Sequence, residues 1–223
     1  MKTALSAAIL AGALLASQGA YAGDWEWGIT IPKTISNWMS EGPIVDGDND
    51  MRFTWGGLSG DLIGRESDIG VQMREVEIGG EDFYTIGFDF NAMGGYRGNG
   101  GDIWYTMDAF ANERIYSARL DTDVAAGVGE IVREDLYNSP GLDTKFLTLI
   151  SENGKPDPED GHFHFGGKVS IKVENTLFAN GSIIDHLDNE FDTVPEPMPL
   201  SLIALGFVLL NLFRRNSVKV SAS

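Results

Sequence analysis

Three groups of side chains in this sequence could do chemistry. Asp46-Gly47-Asp48-Asn49-Asp50 is the densest acidic run. Alternating carboxylates with a glycine between them can wrap a hard cation such as calcium through oxygen ligands. The run is not an EF-hand, because loop positions six and twelve are Met51 and Gly57 where Gly and Glu are required. The second group is the histidines: His162, His164 and His186 all fall within 25 residues. His162 and His164, at i and i+2, share a face if they lie on one strand. With His186 they would make a three-imidazole zinc set with one position left for water. The third group is aromatic. Trp25, Trp27, Trp38, Trp55, Trp104, Tyr96 and Tyr105 could offer flat apolar faces to sugar rings, and the surface around Tyr96 and Trp104 is the best candidate for binding a ligand. Each group has a plainer counterpart: an acidic turn ahead of a strand, a solvated histidine pair, and aromatics that fill a core.

Other chemistries are excluded. The chain has no cysteine, so it has no disulfide framework, thiolate nucleophile or Cys-ligated zinc. It lacks a Gly-x-Ser-x-Gly elbow, a His-Glu-x-x-His pair and a Walker loop. With 33 acidic residues some close pair of carboxylates is inevitable, so such a pair carries no weight as a glycosidase signal. A formal charge of −17 argues against nucleic acid as a partner, since phosphate binding needs clustered Lys and Arg.

The elements that must position these residues read as an all-β, antiparallel β-sandwich or jelly-roll-like fold. The chain is rich in glycine, with 28 among 223 residues, and is punctuated by turn residues. Between Phe83 and Phe90, a period of two puts Tyr84, Ile86, Phe88 and Phe90 on one face. Val169, Ile171 and Val173 alternate with Lys168, Ser170 and Lys172 in the same way. Further strands are expected over Trp25–Ile31, Met51–Leu58, Val71–Ile78, Ile103–Met107, Arg114–Leu120 and Phe146–Ile150. Gly79-Gly80 is read as a hairpin connection and Gly94–Gly101 as a flexible loop. Val124, Val128, Ile131, Val132 and Leu136 have helical spacing, with Asp121, Thr122 or Asp123 as a cap. Pro32–Met39 could form one helical turn. The sandwich is expected to occupy residues 23–187 as a single domain, with 188–194 as a short tether.

Both ends read as addresses. Lys2, the apolar run Ala4–Ala16 and the small residues Ala20 and Ala22 before Gly23 form a signal peptide over residues 1–22, cut by signal peptidase between Ala22 and Gly23. Near the other end, Pro195-Glu196-Pro197 precedes the apolar run Met198–Phe213, which Arg214-Arg215 closes. As a helix, 16 residues span about 24 Å, short of the roughly 30 Å hydrocarbon core but able to insert with snorkelling arginines. The arginines would hold residues 216–223 on the cytoplasmic side.

This ordered triple of motif, apolar helix and arginine pair over residues 195–215 resembles the PEP-CTERM sorting signal of exosortase substrates. The resemblance implies a transient inner-membrane anchor, processing near the motif by an exosortase-type protease, and delivery to the cell surface or extracellular matrix. It says nothing about residues 23–193. The eight-residue tail after the arginines is longer than such signals usually carry. Together the sequence points to an exported, non-enzymatic protein with a structural or adhesive role that binds calcium or extracellular polysaccharide. The alternative is a secreted polysaccharide-acting hydrolase or a His-ligated metal enzyme.

Overall fold

The computed structural model describes residues 34–47, 49–78, 81–110, 112–139 and 144–195. Alternation of buried and exposed side chains builds most of it. Asn99–Ala109 is the clearest case: Gly101, Ile103, Tyr105, Met107 and Ala109 are buried, while the residues between them face outward. Among the described residues there are eleven strands: β1 (Ile44–Val45), β2 (Met51–Ser59), β3 (Gly70–Ile78), β4 (Glu81–Asp89), β5 (Asn99–Ala109), β6 (Glu113–Ala126), β7 (Ile131–Asn138), β8 (Lys145–Glu152), β9 (Phe163–Lys168), β10 (Ser170–Phe178) and β11 (Ile183–Pro195). They form two antiparallel sheets, a six-stranded one in the order β1-β2-β5-β10-β7-β8 and a five-stranded one in the order β3-β4-β11-β6-β9. The expected β-sandwich is therefore what the chain forms.

The two inner faces meet in one core. Tyr105, Met107, Val132, Leu136, Ile171 and Val173 come from the six-stranded sheet, and Ile86, Phe88, Ile115, Leu120, Leu187 and Phe191 from the five-stranded one. Helix α1 (Ile35–Glu41) closes one side of it. Its amide at Asn37 donates to the Thr34 hydroxyl, and Gly42, at φ 88°, ends it. Its Trp38 is fully buried, with ring centroids 5.4 Å from Trp55 and 6.0 Å from Tyr105.

Several expectations need correction. The helix read through Val124–Leu136 is two strands. β6 runs to Ala126, β7 starts at Ile131, and Gly127 and Gly129 both adopt φ 100° between them. The tether read over residues 188–194 is the C-terminal half of β11, the central strand of the five-stranded sheet. The Gly94–Gly101 loop is pinned rather than free. Tyr96 exchanges two backbone hydrogen bonds with Ile184, at 2.7 and 3.0 Å, and Asn99 already belongs to β5. Antiparallel pairing of β3 with β4 sets Ile78 opposite Glu81, as a hairpin requires, although Gly79 and Gly80 lie outside the described residues. So do the strand expected over Trp25–Ile31 and the sorting residues Ala20, Ala22, Gly23, Glu196, Pro197, Arg214 and Arg215. Pro195 is described, as the exposed last residue of β11 opposite Glu113. Among the described residues no helix is long and apolar enough to cross a membrane.

Candidate functional site

The outer face of the six-stranded sheet is laid out in rows by the strand registers. One row runs Thr54, Thr106, Lys172, Tyr137 across β2, β5, β10 and β7. The next runs Gly57, Trp104, Glu174, Asp135, Thr148 out to β8. A bulge between Trp55 and Gly57 makes room for Trp104. Its indole lies against Gly56 and Gly57, where a Cβ on either residue would run into the ring. The ring is thus held down against bare backbone while remaining partly exposed. The Lys172 ammonium sits 5.8 Å from the Trp104 ring and 5.0 Å from the Tyr137 ring, between the two aromatics. Trp104 and Tyr137 are two strands and two residues apart. At ~4.8 Å per strand and ~3.4 Å per residue, they stand about 12 Å from each other.

Polar groups surround this platform. Lys172 pairs with Glu174. Asp135 draws in Arg133 at 3.0 Å and Lys145 at 3.2 Å, and accepts a hydrogen bond from Thr148 at 2.6 Å. Ser59 donates to Asp102. Burial, then the carboxylates of Glu174 and Asp135, push the Tyr137 phenol above its ordinary pKa, so it stays a neutral O–H group. The arrangement offers two flat apolar faces with donors and acceptors between and beside them. It suits a ligand that has C–H faces and many hydroxyls.

Of the two aromatics named from sequence for ligand binding, Trp104 is here and Tyr96 is not. Tyr96 is 1% exposed, packs 6.0 Å from the Phe90 ring, and its hydroxyl accepts from the Gly101 amide at 2.9 Å. Trp38 and Tyr105 are buried in the core, Trp55 packs against it, and Trp25 and Trp27 lie outside the described residues. Tyr137 is missed because β7 reads as helix, while Lys172 is placed on its strand's polar face but only the register brings it beside Trp104.

The acidic run holds the chain at its own turn. Asp46, 4% exposed, accepts hydrogen bonds from the amides of Asp50 at 3.0 Å and Met51 at 2.8 Å, and from the Tyr84 hydroxyl at 2.9 Å. Asp50 takes a further contact from Tyr84 at 3.2 Å, and Asp48 lies outside the described residues. Burial and these two carboxylates hold Tyr84 as a neutral phenol.

The three histidines do not converge. His162 lies 3.3 Å from Glu190 and 3.6 Å from Asp192 on β11. His186 Nε2 donates to the Asp188 carboxylate at 3.0 Å, and His186 is four residues before Glu190 on the same strand, about 13 Å away. His164 is exposed on the edge strand β9, opposite Ser117. Among the described residues no group of three or more His, Asp or Glu side chains is placed to hold a metal ion.

No family model and no curated protein matches the chain. Two solved carbohydrate-binding modules are similar to this chain at low identity. One is TmCBM61 in complex with beta-1,4-galactotriose, 12% identical over 63% of this chain and 88% of that one, with a TM-score of 0.32. The other is the family 11 carbohydrate-binding module of the cellulase Lic26A-Cel5E of Clostridium thermocellum, 8% identical over 66% of this chain and 88% of that one, with a TM-score of 0.26. Likeness at this level carries no functional argument, which rests on the side chains alone.

Proposed function

We propose that this is an exported, non-catalytic surface or extracellular-matrix protein whose sandwich binds polysaccharide on the outer face of the six-stranded sheet. The observation that carries the reading is the Trp104–Lys172–Tyr137 platform, two aromatic faces bracketing a cation on an otherwise polar sheet. Trp104 and Tyr137 stack on the apolar faces of sugar rings. Lys172, Glu174 and Thr106 exchange hydrogen bonds with hydroxyls. A flat, open face of this kind suits an extended chain rather than a small enclosed ligand. Export and transient anchoring rest on the two terminal sequence signals, with signal peptidase and an exosortase-type protease as processing partners.

The binding claim is tested with the full chain by affinity electrophoresis in gels that contain neutral soluble polysaccharides, and by sedimentation with insoluble ones. Trp104→Ala and Tyr137→Ala should each weaken retention about tenfold, the loss of roughly 1.4 kcal/mol of stacking, while leaving the unfolding midpoint within a few degrees. Equal retention of wild type and both variants would overturn the platform. Release of reducing ends from the polysaccharide would turn the reading toward a hydrolase. Replacing Pro195-Glu196-Pro197 with three alanines and fractionating cells tests the sorting claim, and unchanged processing would refute it.

A further inference from the structure

The opposite outer face, that of the five-stranded sheet, also carries a depression. Its registers set out three rows: Val76, Phe83, Asp192; then Arg74, Thr85, Glu190, Arg119; then Gln72, Gly87, Asp188, Asp121. A groove of about 210 Å3 crosses them, with His162 on one wall. The groove is smaller than the roughly 300–1,000 Å3 of a pocket for a drug-sized ligand, and so suits a single small unit.

The charges in the groove are paired with each other. Arg119 lies 3.1 Å from Glu190 and 3.8 Å from Asp121, and His162 reaches both Glu190 and Asp192. Burial alone would raise the Glu190 pKa, but the His162 hydrogen bond and the Arg119 charge outweigh it and hold the carboxyl below its ordinary value. At Asp121 burial wins, and the pKa is raised. An anionic ligand would have to displace Glu190 from Arg119 and His162. A neutral polyol would not, because it can donate to the carboxylates and accept from the cations as they stand. Val76 and Phe83 supply an apolar end, the Phe83 ring lying 6.1 Å from the His162 imidazole. These are the parts that a pyranose requires: one apolar surface, and planar donors and acceptors at its rim.

We infer that this groove is a second carbohydrate site, which takes one neutral sugar unit. The sandwich then presents ligand sites on both outer faces and bridges two glycan chains. The groove stands on its own residues; only the bridging rests on the platform described above.

Saturation-transfer NMR with the full chain tests the inference, using the methyl α-glycosides of glucose, galactose and mannose as probes and galacturonate as an anionic control. At least one neutral glycoside should receive saturation, and should keep doing so in Trp104→Ala. Thr85→Trp fills the groove without removing a charge, and Phe83→Ala removes its apolar end. Each should cut the signal at least about fivefold. Far-UV circular dichroism checks that the variants fold, and Phe83→Ala carries the test if the bulkier substitution does not. A signal lost in Trp104→Ala but kept in both groove variants would overturn the groove and leave the platform standing. Saturation of galacturonate alone, or of no probe, would overturn it as well. Polysaccharide-dependent turbidity that disappears when either face is altered reads out bridging.

Discussion

Glu134→Gln should stabilise this protein progressively as the pH rises. Glu134 sits on β7 between Val132 and Leu136, fully buried, and faces Asn175 across the β7–β10 ladder. Neither carboxyl oxygen has a hydrogen-bond partner among the described residues. Burial, then the charges of Asp135 and Asp157, hold its pKa well above the ordinary value of 4.5, so the folded protein keeps the carboxyl protonated. The unfolded chain gives its proton up near the ordinary value. Above that pH the unfolded state binds fewer protons than the folded one, so stability falls as pH rises, until the raised folded value is passed. One such proton is worth about 1.4 kcal/mol per pH unit. For a domain of this size that is roughly 3–6 °C of Tm per unit.

Glutamine has nearly the same shape and cannot ionise. Its buried amide adds an offset that does not depend on pH, so the slope carries the test. Tm of the full chain and of the variant should be recorded from pH 4 to 7.5 at constant ionic strength. The difference between them is expected to stay flat near pH 4 and then to grow in favour of the variant by about 1.4 kcal/mol per unit. Parallel curves would refute the reasoning. So would a variant that loses ground as pH rises, since that would mean an ionised and partnered Glu134 in the folded state.

The turn before β2 and the pair on β11 give three more expectations. Asp46→Ala strands a buried phenol and two amides, and should cost about 2–3 kcal/mol in urea unfolding; a loss below ~0.5 kcal/mol would refute the capping role. With that carboxylate committed to the fold, adding calcium to the wild type should shift Tm by less than about 2 °C, and a larger rise abolished by Asp48→Ala would show the loop to be a calcium site. At His186 burial opposes the charge, but the hydrogen bond to Asp188 and the carboxylates of Asp188, Asp89 and Asp123 outweigh it, so its pKa lies above 6.5. Its stabilisation is complete below that ordinary value and is lost as pH rises through the raised one. His186→Gln should flatten that decline, and an unchanged pH profile would count against the pair.

Strands with clean alternation are legible from sequence: β4 and β10 lie where the period of two puts them, and β2, β3, β5, β6 and β8 overlap the further strands expected. Strands with polar residues turned inward are not. In β7, Glu134 occupies an inward position between Val132 and Leu136, and the remaining apolar residues then fall at helical spacing. In β11, Asn189 points inward between Leu187 and Phe191, while Asp185, Asp188 and Glu190 face outward past a bulge, so the strand reads as a charged tether. The same two errors hid most of the functional surface. Trp104 could be singled out because a partly exposed tryptophan can be suspected from its type. Tyr137 lies on the missed β7, and the groove draws its walls from β3, β4, β6 and β11, which only the registers bring into line. The histidines illustrate the converse. Close in sequence, they are set apart by the stretch of β11 between His186 and the carboxylates that engage His162.

The position of β11 also constrains how the proposed sorting signal would work. Thr193, Val194 and Pro195 still pair with Ile115, Arg114 and Glu113, so the ladder runs up to the first residue of the Pro195-Glu196-Pro197 motif with no slack between. Cleavage within residues 188–194 would cut the central strand, which is bonded to β4 on one side and β6 on the other, and a cut before Phe191 would also sever that core residue. Cleavage beyond Pro195 would leave every rung in place. A sorting protease acting at this motif would therefore work next to the last rungs of a folded sheet, the part of a strand that opens at least cost. Both proposed carbohydrate faces are built from residues upstream of that point, so release from the anchor would leave the platform and the groove intact.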